Sequence, residues 1–178
     1  MGDVMIREAQ PGELVAVADL RVAAYAAGGF LNAEYAPELR ALGTAGDGTV
    51  IVAVPDDARA PGLIGTIMLV TWPQAGELVS GPDEAEIRAL AVAPGVQAGG
   101  AGTRLLLTAL NWAELAGARR VVLSTLPQMR AAHRLYERNG FRRLKDRDWS
   151  PRPGIQLLAY SLELDRLPAN QPGPGPRS

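Results

Sequence analysis

The chain has 178 residues, 47% hydrophobic and 21% charged, which suits one globular domain large enough to bury a sizeable core. Its 18 basic and 19 acidic residues give a net charge of −1, so bulk electrostatics point to neither nucleic acid nor an anionic membrane as a partner. There is no cysteine and one histidine, His133, which excludes disulfides, thiolate metal sites and a cysteine acyl-enzyme and gives no reason to expect a metal.

The N-terminal MGDVMIREAQPGE lacks the apolar core of a signal peptide and no apolar run reaches membrane length, so a soluble cytoplasmic protein is expected. Val4 to Glu8 predicts a short strand, ended by Gln10-Pro11-Gly12. Glu13 to Ala26 follows as a helix, with Leu14, Val17, Ala18, Arg21 and Tyr25 near helical spacing, stopped by Gly28-Gly29. Asn32 to Leu42 predicts a second short helix, its start blurred by Pro37. Thr49 to Val54 is an unbroken apolar run that reads as a buried strand, and Leu63 to Val70 folds back on it. A loop from Trp72-Pro73 to about Asp83 leads into a central strand, Ala85 to Ala93. After a glycine-dense loop, Leu106, Ala109, Leu110 and Ala113 supply an i, i+3, i+4, i+7 stripe, with Gly117 as the stop. Arg120 to Ser124 predicts a fifth strand and Arg130 to Asn139 a helix. Phe141 to Asp146 and Ile155 to Leu164 predict two last strands, joined by a loop over 149–154. The order β-α-α-β-β-β-α-β-α-β-β describes an α/β (α+β) domain over residues 1–166, a mixed sheet of about seven strands with helices on both faces. The tail 167–178, ending PANQPGPGPRS, has no apolar pattern and is expected to be disordered.

The stretch from Glu86 to Leu107 runs strand, glycine loop, helix. That arrangement aims several backbone N–H groups, with the positive end of the helix dipole, at one point, and so makes an anion site. Gly99, Gly100 and Gly102 lack a Cβ, so a phosphate can approach the main chain closely. A dinucleotide G-x-G-x-x-G fails at Leu105, and a Walker loop fails for want of Gly-Lys-Ser/Thr. Val92 to Gly102 instead fits V-x-P-x-x-[QR]-x-x-G-x-G, which resembles the acyl-CoA loop of the GNAT superfamily of N-acetyltransferases. A second block, Ala132 to Phe141, resembles that family's A-x-x-L-Y-E-x-x-G-F signature, and the element order resembles the GNAT fold over about residues 4 to 164.

The resemblance implies acetyl-CoA as co-substrate. It implies that the backbone at Leu90, Ala91 and Val92 bonds the pantetheine amides. The Val92 N–H would serve as oxyanion donor, and Gln97, Ala98, Gly99, Gly100, Ala101, Gly102 and Thr103 would hold the pyrophosphate. Many members place Asn three residues before the Ala of the second block, where this chain has Met129. Tyr136 lies on the inward stripe of its helix with Ala132, Leu135 and Asn139, and its phenol suits protonation of the departing thiolate. Glu86, near the start of the central strand, is the foremost candidate base, with Glu84 and Glu77 behind it. Period-two counting puts Glu86, Arg88, Leu90 and Val92 on one face unless a bulge intervenes. His133 with Ser124 lacks an acidic orienter, and a helix-surface histidine is the better account. By the same resemblance the acceptor cleft draws on Tyr25, Phe30, Tyr35, Trp72 and Trp149.

The chain therefore reads as an acetyl-CoA-dependent N-acetyltransferase working by direct attack in a ternary complex on a small-molecule or peptide amine. No nucleic-acid or membrane partner is expected, and a homodimer is compatible. Two alternatives stand beside it. One is a CoA-binding regulatory module without chemistry. The other is an acyltransferase with a longer acyl donor or a hydroxyl acceptor.

Overall fold

The computed structural model describes residues 4–56, 62–76, 78–96 and 99–164. In chain order the elements are β1 (Val4–Glu8), α1 (Leu14–Ala27), α2 (Tyr35–Ala41), β2 (Thr49–Pro55), β3 (Gly65–Thr71), β4 (Glu84–Val92), α3 (Ala101–Leu115), β5 (Arg120–Thr125), α4 (Arg130–Arg138), β6 (Arg142–Arg143), β7 (Trp149–Arg152) and β8 (Ile155–Glu163). They build one 8-stranded sheet in the order β1-β2-β3-β4-β5-β8-β6, with β7 paired to β8. Only β4 and β5 run parallel among these pairs, and α3 is the crossover between them.

Apolar clusters cover the two faces. The apolar stripe of α3 (Leu105, Leu106, Ala109, Leu110, Ala113) packs with Ile51, Ile67, Ile87 and Leu123 from the sheet, joined by Tyr136 and Phe141. Burying each of these leucines contributes about 1.5–3 kcal/mol. On the opposite face Val17 of α1 packs on Val50 and Val52. Both strands β2 and β3 are covered on both sides, which is why their sequences read as unbroken apolar runs.

Three boundaries differ from the sequence expectation. Helix α2 begins at Tyr35 rather than Asn32, because the Asn32 side chain accepts the Tyr35 N–H at 2.7 Å and ends the preceding turn. Pro37 then falls in the first turn, where a missing N–H costs nothing. The strand expected over Phe141 to Asp146 is reduced to Arg142–Arg143, followed by a 3-10 turn at Lys145–Arg147. The loop expected over 149–154 is largely strand: Trp149 pairs with Leu157 and Arg152 with Ile155, turning at Gly154 with φ +84°. An edge position tolerates Pro151, so the proline that signalled a loop does not break the strand. The expected tail, with the rest of 165–178, lies outside the described residues.

Among the described residues no helix is long and apolar enough to cross a membrane, and no group of three or more acidic or histidine side chains is placed to hold a metal ion.

Candidate active site

The site is built around a break in β4. Met68 of β3 pairs with Arg88, but Thr66 pairs with Ala91, so β4 carries one extra residue there. Ala89 absorbs the irregularity with φ +50°, a left-handed conformation that an alanine adopts only against a steric penalty. The bulge inverts the alternation beyond it. Ala85, Ile87 and Leu90 pack into the α3 core, and the Val92 side chain points at Gly102, whereas Glu86 and Arg88 face the other way. The shared face expected of Glu86, Arg88, Leu90 and Val92 in the absence of a bulge therefore does not form, because one inserted residue intervenes.

Pairing of β4 with β5 ends at Ile87↔Leu123, while β5 continues along β8 to Thr125↔Leu158. The two strands part, and Leu90 to Val92 have β3 on one side only. The Ala93 N–H donates to the carbonyl of Ile64, just before β3, at 2.8 Å, so strand alternation sends the Val92 N–H to the side that β5 has vacated. At the end of this edge Gly100, with φ +73°, caps α3, whose first N–H groups at Ala101, Gly102 and Thr103 precede the first intrahelical bond, Arg104 N–H to Gly100 O. A Cβ on Gly100 would meet nothing within 4 Å, so the main chain there is open to a ligand. Gln97 and Ala98 lie outside the described residues.

On the Glu86 face lies a cavity of about 660 Å³, a size typical of small-molecule sites. Its walls are the α1–α2 segment, including Tyr25, Phe30 and Tyr35, β4 from Glu86 to Ala89, the end of β5 with Gln128 and Met129, and the β7–β8 hairpin with Trp149. Four of the five aromatics expected to line an acceptor cleft are thus brought together. Trp72 is not: it is 49% exposed and lies outside the lining. Across the cavity, Arg152 of β7 pairs with Glu34 and Glu38 beside and within α2.

Glu86 is 4% exposed and, among the described residues, accepts one hydrogen bond, from Arg88 Nη2 at 2.7 Å. Gly76 of the β3–β4 loop lies over this pair, where a Cβ would stand 2.5 Å from Arg88 Nη2. Glu84, two residues earlier on the same face, is in a different position. Arg147 donates to both its oxygens at 2.7 and 2.9 Å, Arg120 to one at 3.2 Å, and Ser80 through its N–H and hydroxyl at 2.9 and 3.0 Å. Burial pushes its carboxyl up, but the bonds from Arg147 and Ser80 outweigh it and hold the pKa at about 2. A carboxylate so engaged is a poor proton acceptor, which removes Glu84 as a candidate base. Glu77 lies outside the described residues.

Tyr136 packs against Phe141 and Tyr160 at 5.7 and 6.3 Å between ring centroids, and its hydroxyl bonds no described residue. Burial pushes its pKa up, so the phenol keeps its proton. Tyr136 does not line the cavity, yet it adds to the upward push that burial and Tyr35 give the Tyr25 phenol, which does. Met129 caps α4 without a side-chain bond, and the Thr125 hydroxyl donates to its sulfur at 3.7 Å. His133 donates through Nε2 to the Leu126 carbonyl at 2.9 Å, which fixes its tautomer and leaves Ser124 without a histidine partner.

A strand that parts from its neighbour at a bulge, beside an open helix N-terminus, is the feature on which known proteins can be compared. The Acetyltransferase (GNAT) family model matches residues 10–141. The chain belongs to the GNAT family. Solved GNAT structures share its fold. An acetyltransferase of Staphylococcus aureus Mu50 aligns at 16% identity and TM-score 0.71, over 91% of this chain and 99% of that one. A GNAT-family protein of Desulfovibrio desulfuricans gives 23% and 0.68, over 91% and 99%. The yncA protein of Salmonella typhimurium, solved with its cofactor acetyl-CoA, gives 19% and 0.66, over 93% and 96%. No curated protein matches the chain.

Sequence reasoning for this GNAT chain missed the residues that define the cavity from a distance. Arg152, Glu38 and the 155–157 strand meet the α1–α2 segment only in the fold, and Arg147 reaches Glu84 across 63 residues. Nothing in the local sequence marks either meeting.

Proposed function

We propose that the chain, acting as one domain over residues 1–166, moves an acetyl group from acetyl-CoA to an amine held in the cavity beside Glu86. The observation that carries the reading is the parting of β4 and β5 between an open helix N-terminus and a cavity holding a buried carboxylate. The main chain from Gly99 to Thr103, open at Gly100 and ending in the first N–H groups of α3, suits a pyrophosphate, and the β5-side edge of Leu90 to Val92 offers backbone groups to the pantetheine amides. Bound there, acetyl-CoA supplies an activated acyl group: the amine nitrogen bonds the acyl carbon and the carbon–sulfur bond breaks with its electron pair on sulfur. Of the two protons an ammonium loses, one ends on sulfur and one in solvent.

Each residue then has a part. Glu86 takes a proton from the ammonium and passes it to water. Tyr136 gives its proton to sulfur and regains one from the nitrogen side through water. The Val92 N–H faces the charge that develops on the acyl oxygen. Tyr25, Phe30, Tyr35 and Trp149 hold the acceptor in line, and proximity contributes most of the acceleration. The test is release of free thiol from acetyl-CoA against a panel of amines, with product mass confirming an N-acetyl group. The protein has no thiol of its own, so background is low. Acceptor-dependent thiol release is the expected result; CoA binding without release from any acceptor would leave a binding module instead.

A further inference from the structure

Glu86 and Arg88 stand side by side on the cavity wall with their head groups 2.7 Å apart. The pair is unevenly spent. Arg88 Nη2 takes one Glu86 oxygen, Oε2, while Oε1 and the other Arg88 N–H groups bond no described residue. Arg88 keeps 29% of its side chain exposed. The other cation on the wall, Arg152, is already paired with Glu34 and Glu38. Behind the aromatic wall Arg21 is 1% exposed, donates only to the Leu42 carbonyl, and leaves Nε and Nη2 without a partner among the described residues. Its field adds positive potential at the Tyr25–Tyr35 end of the cavity.

We propose that the acceptor is a free α-amino acid, its ammonium against Glu86 and its carboxylate against Arg88. The inference rests on the acyl-transfer reading above and names the substrate class of that site. An α-amino acid carries its two charges on one carbon, so they lie as close together as the Glu86 and Arg88 heads and meet them as a matched pair. A lysine side chain or peptide N-terminus would set a methylene or neutral amide against a half-buried guanidinium. A diamine would bring a second cation to it. The aromatic wall of Tyr25, Phe30, Tyr35 and Trp149 leaves the side-chain end of the acceptor against apolar surface. The products are an N-acetyl amino acid, CoA thiol and one proton.

The test compares the 20 common L-amino acids with their amides, their decarboxylated amines and a set of ω-amino acids. Two readouts are used: thiol release from acetyl-CoA, and calorimetric binding in the presence of CoA. Wild type should favour at least one free amino acid over its amide by about tenfold or more in kcat/KM. Arg88→Met should erase that preference by raising KM for the acid, and Arg88→Lys should restore part of it. Amides or simple amines used as well as the acid would overturn the inference while leaving acyl transfer standing. So would a preference that survives in Arg88→Met. If thiol release fails with every acceptor but the acids bind in an Arg88-dependent way, the substrate class holds and the reaction reading falls. Absence of both binding and turnover with the acids overturns the inference.

Discussion

Glu84 and Glu86 sit two residues apart on one face of β4 and have opposite fates. Below Ile87, β4 is zipped to β5 and Glu84 is gripped by Arg147, Arg120 and Ser80. Glu86, still paired with Val122 but next to the point beyond Ile87 where the strands part, has one ion-pair partner among the described residues and a cavity in front of it. In the locked half of the strand the side chain is a structural fastening; toward the open half, on the function proposed above, it is the proton acceptor. What differs is the number of donors within reach: Ser80, Arg120 and Arg147 at Glu84, and Arg88 at Glu86.

The largest effect that would sharpen this contrast lies in the open half. Gly102→Glu should abolish CoA binding through charge repulsion at the helix N-terminus, on the order of 10²-fold or more. Gly102→Ala should fold normally, since its Cβ would meet Val92 and Leu135 only at 3.6 Å. Calorimetry of both variants checks it, and unchanged CoA affinity in Gly102→Glu would move the pyrophosphate elsewhere.

In the locked half, Glu84→Gln should cost about 3 kcal/mol of stability at neutral pH, from a carboxyl held near 2 against an ordinary 4.5. The sign follows from that depressed value. The contribution is fully present above the unfolded pKa and is lost as pH falls from 4.5 toward 2, so the variant should show a flatter acid limb in urea melts over that window. Its catalytic constants should barely change. A large loss of kcat with unchanged stability would erase the distinction between the two carboxylates.

Tyr136→Phe belongs to the open half and should lower kcat by about 10²-fold with CoA affinity nearly intact. Because burial raises the Tyr136 pKa above its ordinary value of 10.0, wild type should show no alkaline loss of rate from this group below pH 10.0. A smaller effect is expected at the cavity wall: Tyr35→Ala should raise the acceptor's KM several-fold and leave that of acetyl-CoA unchanged. Equal changes in both would take Tyr35 out of the acceptor site.

The elements whose signal is local were legible before any coordinates. The stripe of α3, the glycine-rich cap at Gly100 and the run of β2 each carry their structure in a few adjacent residues. Tyr25, Phe30, Tyr35 and Trp149 line one cavity with Glu86, whereas Trp72, expected with them, does not. A bulge in β4 could be allowed for but not placed, because Ala89 is not a glycine and gives no hint of a positive φ. The hairpin strand β7 escaped notice because Pro151 reads as a breaker unless the strand is known to lie at an edge. Glu86 stood ahead of Glu84 as a candidate base, but the grip on Glu84 was illegible: it comes from Arg147 and Arg120, which the chain brings in from far away, and from Ser80 of the preceding loop.

The central claim is that Glu86 is the base, and its pH–rate profile tests that most directly. Thiol release by wild type and Glu86→Gln should be compared as kcat/KM from about pH 6 to about pH 9 with a reactive acceptor in hand. The account predicts a deficit of about 10²–10⁴-fold at the acid end, where the amine is mostly protonated, shrinking toward the alkaline end as free amine becomes plentiful. A Glu86→Gln profile that tracks wild type at every pH would contradict it and place proton removal on a group other than Glu86.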